Sequence, residues 1–384
     1  MSSPSQSRTV PVVIVAVLLI AAGIYLLTRP GKPAQPAAQA SAAPSAPAPS
    51  ARPRKVFAQR PPNAAPGPSA SGAAEPGSSL HPFTLGALGP KGFADVAEIA
   101  KAKKYFEDEG LDVSIDRTKV ATDVAQNVNA RTVPMGITFD FAIAFQAAKE
   151  AHFKVLGQVA RADLPVSVFA RKDRRIVGPS DLKGKRVAVQ PFPNSHYYLS
   201  LYLAKHKLKE SDVTVVEKTY EQVSGGLIHG DFDVVVDCIA TLRGGGWNLM
   251  NTPGLDLVDL SEDGMCPIRL GLIAGDEAMK NDPEAIEGVT RALSRAAAYL
   301  DKNREKAEAE IAESLAIEAS RVHKLTGPLR YGLAFDADFV SALEAESKWF
   351  RESHSDVTGG PSLASVLDPD LLRDMEPGAV KLTP

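Results

Sequence analysis

Between Arg186 and Asp237 the chain repeats one pattern that leaves few folds open to it. The β-branched run Arg186–Val189 is followed by a helical stretch, Ser195–His206, and a strand, Val213–Glu217. A second helix, Tyr220–Ile228, and a third strand, Asp233–Asp237, complete the series. Strands that alternate with helices of crossover length pair in parallel, so this region predicts an α/β sheet with helices on its faces. The first strand is introduced by the tight turn Ser180-Asp181-Leu182-Lys183-Gly184-Lys185. It empties into Gln190-Pro191-Phe192-Pro193-Asn194-Ser195, which opens the first helix. Loops between a strand's carboxyl end and a helix's amino end are where open α/β sheets hold ligands.

The same texture begins near residue 80. Phe83–Leu88 reads as a strand, Gly89–Gly92 as a turn, and Ala94–Glu109 as one helix, with Val96, Ile99, Ala100, Lys103 and Phe106 near helical spacing. Leu111–Ile115 alternates like a half-buried strand, and Asp123–Ala130 is helical in pattern. Phe139–Phe145 reads as an apolar strand or a strand-to-helix junction, with Ala144–His152 the following helix. Phe153–Val159 and Val166–Ala170 read as two separate strands. Beyond the opening series, Ile239–Leu249 is a weak helix interrupted by Gly244-Gly245-Gly246, and Leu255–Leu260 and Ile268–Ile273 are strands. From Pro283 the pattern is nearly all helical: Glu284–Asn303, Lys306–Leu315, Ser320–Leu325 and Ala337–Glu352.

The first 79 residues are a different material. Thr9–Thr28 carries no charge and Val10–Leu27 is almost wholly apolar; at 1.5 Å per residue it reaches roughly 30 Å, the thickness of a hydrocarbon core. It lacks a convincing small-x-small cleavage site at its end and no cysteine follows it directly, so it predicts an uncleaved signal anchor, with a cleaved signal peptide the alternative. Arg8 favours a cytoplasmic amino end, and Arg29 with Lys32 roughly cancels that bias. Residues 30–79 contain 38 Pro, Ala, Ser or Gly among 50, twelve of them proline. Such a segment cannot bury enough apolar surface to offset its ordering entropy, and it predicts a disordered tether. At ~3.1 Å per residue its reach has a ceiling of roughly 150 Å.

Charge and motif exclude several function classes. Residues 1–79 hold seven of the 43 basic residues and one of the 46 acids, leaving 36 against 45, a net of −9, in 80–384. So acidic a domain suits no mode of binding that neutralises phosphates, and no nucleic-acid partner is expected. Gly184-Lys185 does not end a phosphate-binding loop, because position 179 is Pro and position 186 is Arg. There is no Gly-x-Ser-x-Gly, no His-Glu-x-x-His, and no metal spacing among the seven histidines, so neither a catalytic residue, a metal nor a cofactor is expected. Cys238 and Cys266 stand apart; a disulfide and two buried thiols are both open.

Several phrases resemble one family. Lys103-Lys104-Tyr105-Phe106-Glu107-Asp108-Glu109-Gly110-Leu111-Asp112-Val113, Phe139-Asp140-Phe141-Ala142-Ile143, and Asp181-Leu182-Lys183-Gly184-Lys185-Arg186-Val187-Ala188-Val189 occur in order. Ile228-His229-Gly230-Asp231-Phe232-Asp233-Val234 and Asp282-Pro283-Glu284-Ala285-Ile286 follow. Together they resemble the periplasmic binding proteins of the nitrate, sulfonate, taurine and thiamine-precursor group over about residues 82–355. The resemblance implies a two-lobed type II clamshell, preceded here by a transmembrane helix and a disordered Pro/Ala-rich tether. It implies residues 1–9 in the cytoplasm, 10–27 in the inner membrane, and 80–384 outside as the solute-binding domain. Lobe one would take 80–175 and 268–384, and lobe two 176–265. The partners implied are a small polar ligand, with anions suited to the helix amino ends, and an ABC permease. A sensor or scaffold ectodomain on the same fold is the alternative. An enzyme like the thiamine-pyrimidine synthases is a further one, though their cysteine-rich motif has no counterpart around Cys238.

Four loops are expected to face the cleft. The first, Leu88-Gly89-Pro90-Lys91-Gly92-Phe93, offers close backbone approach at Gly89, while Lys91 either meets an anion or is solvated. The second, Met135–Asp140, carries Thr138 and Asp140; Asp140 either orders backbone or touches ligand. In the third, Gln190–Tyr197, Asn194 or Ser195 caps the helix and leaves free amides, and His196 is a donor or simply exposed. The fourth begins at Asp237, where Cys238-Ile239 departs from the acid and proline common in the group, so the resemblance carries no ligand class across. Arg161 lies near the first crossing between lobes; Arg243 is read as facing solvent.

Overall fold

The computed structural model describes residues 80–89, 95–118, 120–190, 193–237, 253–355, 357 and 359–382. In chain order the elements begin β1 (His81–Leu88), α1 (Asp95–Ala102), α2 (Tyr105–Asp108), β2 (Leu111–Thr118), α3 (Ala121–Asn129), β3 (Met135–Phe139), α4 (Asp140–Lys149) and β4 (Phe153–Arg171). The middle of the chain gives β5 (Arg186–Val189), α5 (Pro193–Lys205), β6 (Thr214–Glu217), α6 (Tyr220–His229), β7 (Val234–Asp237), β8 (Leu257–Asp259) and β9 (Glu262–Gly275). Then come α7 (Asp276–Asn281), α8 (Pro283–Lys302), α9 (Arg304–Leu315), α10 (Ala319–Thr326), β10 (Arg330–Asp336), α11 (Ala337–Ser353), α12 (Asp370–Met375) and β11 (Val380–Lys381).

Two long strands organise everything else. β4 runs for 19 residues and β9 for 14, antiparallel to one another from Phe153↔Gly275 to Val166↔Glu262. The amino-terminal half of β4 also pairs β10, and its carboxyl-terminal half pairs β7 and β8. The first half belongs to lobe one, whose strands run β2-β1-β3-β9-β4 and on to β10; the second belongs to lobe two, whose strands run β6-β5-β7-β4. The β1–β2, β1–β3, β5–β6 and β5–β7 pairs are parallel, as alternation with helices requires. The architecture is an α/β fold of two sheets joined through β4 and β9.

The Asp181–Arg186 phrase serves this geometry. Gly184 adopts φ +75° and donates its N–H to Asp212 O at 2.6 Å, a left-handed turn that a side chain would strain. Asp181 Oδ2 accepts the amides of Val177 (2.9 Å) and Gly178 (3.1 Å), closing the preceding turn. Arg186 donates to Asp233 through its amide (2.9 Å) and guanidinium (2.9 Å), so the start of β5 is tied to the residue before β7. The parallel register of lobe two follows from those bonds.

Four expectations change. The helix expected over Ala94–Glu109 is two, because Lys104 turns to φ 57°; the break lets Phe106 bury fully while Lys103 pairs Glu310 at 2.7 Å. The two strands read at Phe153–Val159 and Val166–Ala170 are one, since the polar stretch between them is the crossing itself, where pairing with β9 continues. Met135–Asp140 is not a loop: β3 sits between β1 and β9, and α4 starts directly at Asp140. The carboxyl-terminal region is not all helix, for β10 pairs β4 antiparallel with Tyr331, Leu333 and Phe335 buried. The Ile239–Leu249 helix, the 10–27 span, the 30–79 tether and a Cys238–Cys266 pairing all fall outside the described residues or side chains. Among the described residues no helix is long and apolar enough to cross a membrane.

Candidate functional site

The two lobes meet along α4, α11 and β9 on one side and α5 on the other. Trp349 of α11 packs edge-on against His196 and Tyr197 of α5, with ring centroids 5.6 and 5.5 Å apart. Tyr198 donates its phenol to Pro267 O on β9 at 2.8 Å. Polar and charged groups fill the seam that these rings flank, a composition unlike that of a packed core.

Asp140 opens α4 and is wholly buried; its Oδ1 accepts Phe141 N at 3.0 Å. Its Oδ2 makes no hydrogen bond and lies 3.5 Å from Arg269 Nη1. Arg269, 5% exposed on β9, donates from Nη2 to Asp338 at 2.7 Å, while Nε and Nη1 find no acceptor. Glu346 on α11 is 2% exposed and its Oε2 has no partner. In the first turn of α5, Asn194 and Ser195 are each 1% exposed, with Asn194 Oδ1 and Ser195 Oγ unpartnered. Buried polar atoms are nearly always satisfied in folded proteins, by protein or by water, so these groups from both lobes make the seam the candidate place for a polar partner.

Burial governs the charges here. It raises the Asp140 carboxyl to about 6, against the pull of Arg269. Glu346 is pushed well above the usual carboxylate range by burial first and by the charge of Asp140 second, with Arg269 opposing. Burial disfavours the Arg269 charge, but Asp338, Asp140 and Glu346 outweigh it and hold the guanidinium protonated. Burial, then Glu346 and Asp140, lift the Tyr197 phenol to about 12.

The sequence candidates fall at different distances from this seam. Leu88 and Gly89 end β1, and Gly89 makes its close approach to Thr118 O (2.6 Å) on β2. Thr138 is buried on β3, its hydroxyl donating to Ala121 O at 2.7 Å, so it ties β3 to the start of α3. Arg161 lies on β4, half exposed, 4.0 Å from Asp336 and 3.9 Å from Asp338. Gln190 is buried just past β5. The helix after it begins at Pro193, so Asn194 and Ser195 occupy its first turn instead of capping it. His196 sits 3.2 Å from Glu210 as well as against Trp349. Asp237 ends β7 opposite Ser167; its side chain, like Lys91 and Arg243, is outside the described residues.

Sequence reasoning missed Arg269, Glu346 and Trp349. Each left a trace: Arg269 is the charge inside the apolar run Ile268–Ile273, and Glu346 falls on the apolar face formed by Phe339, Leu343 and Phe350. A separate depression of about 590 Å³ between α3 and α4, reached by Gln126, Phe145 and Lys149, shares no residue with the seam. Among the described residues no group of three or more His, Cys, Asp or Glu is arranged to hold a metal ion.

Residues 97–307, more than half the chain, match the family described as NMT1/THI5 like. The chain belongs to that family. No curated protein matches it. Among solved structures, the alkanesulfonate-binding protein SsuA from Xanthomonas axonopodis pv. citri, bound to MOPS, is 17% identical at a TM-score of 0.56, covering 77% of this chain and 99% of its own. The periplasmic aliphatic sulphonate-binding protein SsuA from Escherichia coli is 19% identical at 0.58, covering 74% and 97%. The periplasmic nitrate-binding protein NrtA from Synechocystis PCC 6803 is 12% identical at 0.55, covering 77% and 88%. At such identities the likeness establishes the fold, that of periplasmic binding proteins, and the chemistry has to be argued from the seam itself.

Proposed function

We propose that this protein is an extracytoplasmic solute-binding protein serving an ABC importer. Residues 10–27 hold it in the inner membrane and the 30–79 segment lets the folded domain range outward. The lobes close on a small polar ligand about the crossing strands β4 and β9, and the closed form is what a permease reads. The observation that carries this reading is the seam: the buried ion pair of Asp140 and Arg269, with Glu346 Oε2, Asn194 Oδ1 and Ser195 Oγ making no hydrogen bond among the described residues, brought together from both lobes. Of the sequence candidates, Asp140, Gln190, Asn194, Ser195 and His196 would line it, with Lys91 and Asp237 on adjoining loops. Leu88, Gly89 and Thr138 would shape its walls, and Arg161 its rim. The seam groups described bind and orient, and capture and release is the chemistry they suit.

The test is thermal denaturation of the detergent-solubilised full chain against nitrate, alkanesulfonates, taurine, pyrimidines, amino acids and polyamines. A ligand at 100 times its Kd stabilises the fold by about 2.7 kcal/mol, a readable shift in Tm. A dose-dependent shift confined to one chemical class is expected. A well-folded sample that responds to none of them overturns the reading in favour of a scaffold whose clamshell meets another protein.

A further inference from the structure

We propose that the ligand carries a positively charged nitrogen, an organic ammonium that seats against Glu346 beside the packed rings of Tyr197 and Trp349. The inference rests on the solute-binding reading above and adds the chemical class.

The argument starts from charge. Arg269 is already shared by two acids, Asp140 at 3.5 Å and Asp338 at 2.7 Å. Among the described residues, Arg161 beside the seam is also engaged, 4.0 Å from Asp336 and 3.9 Å from Asp338. Glu346 is therefore a buried carboxyl with no cation of its own and one oxygen without any partner. Asp140, Glu346, Asp338 and Arg269 sum to −2 when all are ionised. An anion meeting Glu346 would set a second acidic centre against it, whereas a cation supplies the partner that Glu346 lacks among the described residues.

The shape agrees. Trp349 lies one helical turn beyond Glu346 and so shares its face of α11. Tyr197 packs on that ring, and its phenol feels the Glu346 charge. Aromatic rings beside a carboxylate attract organic cations through the ring quadrupole, more strongly where water is excluded. Arg269 Nε, which makes no hydrogen bond among the described residues, suits a neutral oxygen on the same ligand, a hydroxyl or carbonyl.

A consequence separates this from simple packing. With no ligand, burial and Asp140 keep the Glu346 proton in place. An ammonium entering beside it favours the carboxylate, so the proton leaves to solvent as the ligand binds, one for one.

The experiment is isothermal titration calorimetry of the full chain at neutral pH, in buffers of different ionisation enthalpy. The probes are ethanolamine, choline and putrescine on one side and ethanesulfonate and nitrate on the other. Saturable binding of at least one ammonium probe, with release of about one proton, is expected. In Glu346→Gln affinity should fall tenfold or more and proton release should vanish, while Tm in the absence of ligand is unchanged or higher, because Gln keeps the neutral shape. Trp349→Ala should weaken the same probe and keep the proton release. Saturable binding of an anion but of no ammonium overturns the assignment of class and leaves the solute-binding reading standing. Ammonium binding undiminished in Glu346→Gln, or without a released proton, overturns the seat. Binding by neither set overturns the assignment of class, and the thermal-denaturation panel above then decides the solute-binding reading separately.

Discussion

Asp140 stands where three demands meet: it opens a helix, it faces a guanidinium, and it has no access to water. The first two favour its charge and the third opposes it more strongly, which is why its carboxyl lies near 6 instead of near 4. A carboxyl whose folded value is raised contributes stability that is complete below its unfolded value and is lost as pH rises through the folded one. Asp140→Asn imitates the protonated acid and keeps the acceptor for Phe141 N. Its stability relative to the parent should therefore be near zero below about pH 4 and climb between about 4 and 6. Above that it should level off, on the order of 2–3 kcal/mol in favour of the variant. Urea unfolding across that range checks it, and a difference independent of pH would show that Asp140 stays ionised. At this scale the sequence pointed to Asp140 because it sits in a recognisable phrase, and to Asn194 and Ser195 because they follow a strand's carboxyl end, although they lie inside the helix instead of capping it. It was opaque for Arg269 and Glu346, because a charge within an apolar pattern reads as a lapse of the pattern until the opposing lobe is present to show what it faces.

β4 shows why the crossing was misread. Its middle residues, Arg161 to Leu164, mix charge with apolar side chains, a pattern that signals a loop when a strand is assumed to have one environment along its length. Here one end lies in lobe one, the other in lobe two, and the centre spans the gap. Near its start the strand carries an irregularity at Gly157, φ +150°, where an added Cβ would meet Ala334 O at 2.9 Å. The bulge brings β10 close enough to pair. Gly157→Ala should destabilise the fold by about 1–3 kcal/mol through both the backbone conformation and the displaced carbonyl. Chemical denaturation measures this, and a change under about 0.5 kcal/mol, the size expected of an ordinary surface substitution, would mean that β10 simply moves aside. By contrast β5, α5, β6, α6 and β7 were readable from the sequence to within a few residues, since each has a single environment and the turns between them are marked by Gly184 and Gly230.

As a whole molecule, the described domain is two lobes that share strands, so neither lobe's sheet is complete without segments that also belong to the other. We expect one cooperative unfolding transition. Trp349, on the seam, reports contact between lobes, and far-ultraviolet circular dichroism reports the sheets and helices of both. In the full chain carrying Trp247→Phe, the two signals should share one urea midpoint; midpoints separated by more than the fitting error would mean that the lobes unfold independently. The interleaving has a further consequence during synthesis. β9 occupies the place between β3 and β4, so after Phe153–Arg171 has been made those two strands still wait for Glu262–Gly275. With synthesis at ~5–20 residues per second, that wait is on the order of ten seconds. Through it the ribosome-bound chain holds two apolar strands with open edges, a template for pairing with any neighbouring chain. A protein destined for export would need those edges shielded by something other than itself until its last third has emerged.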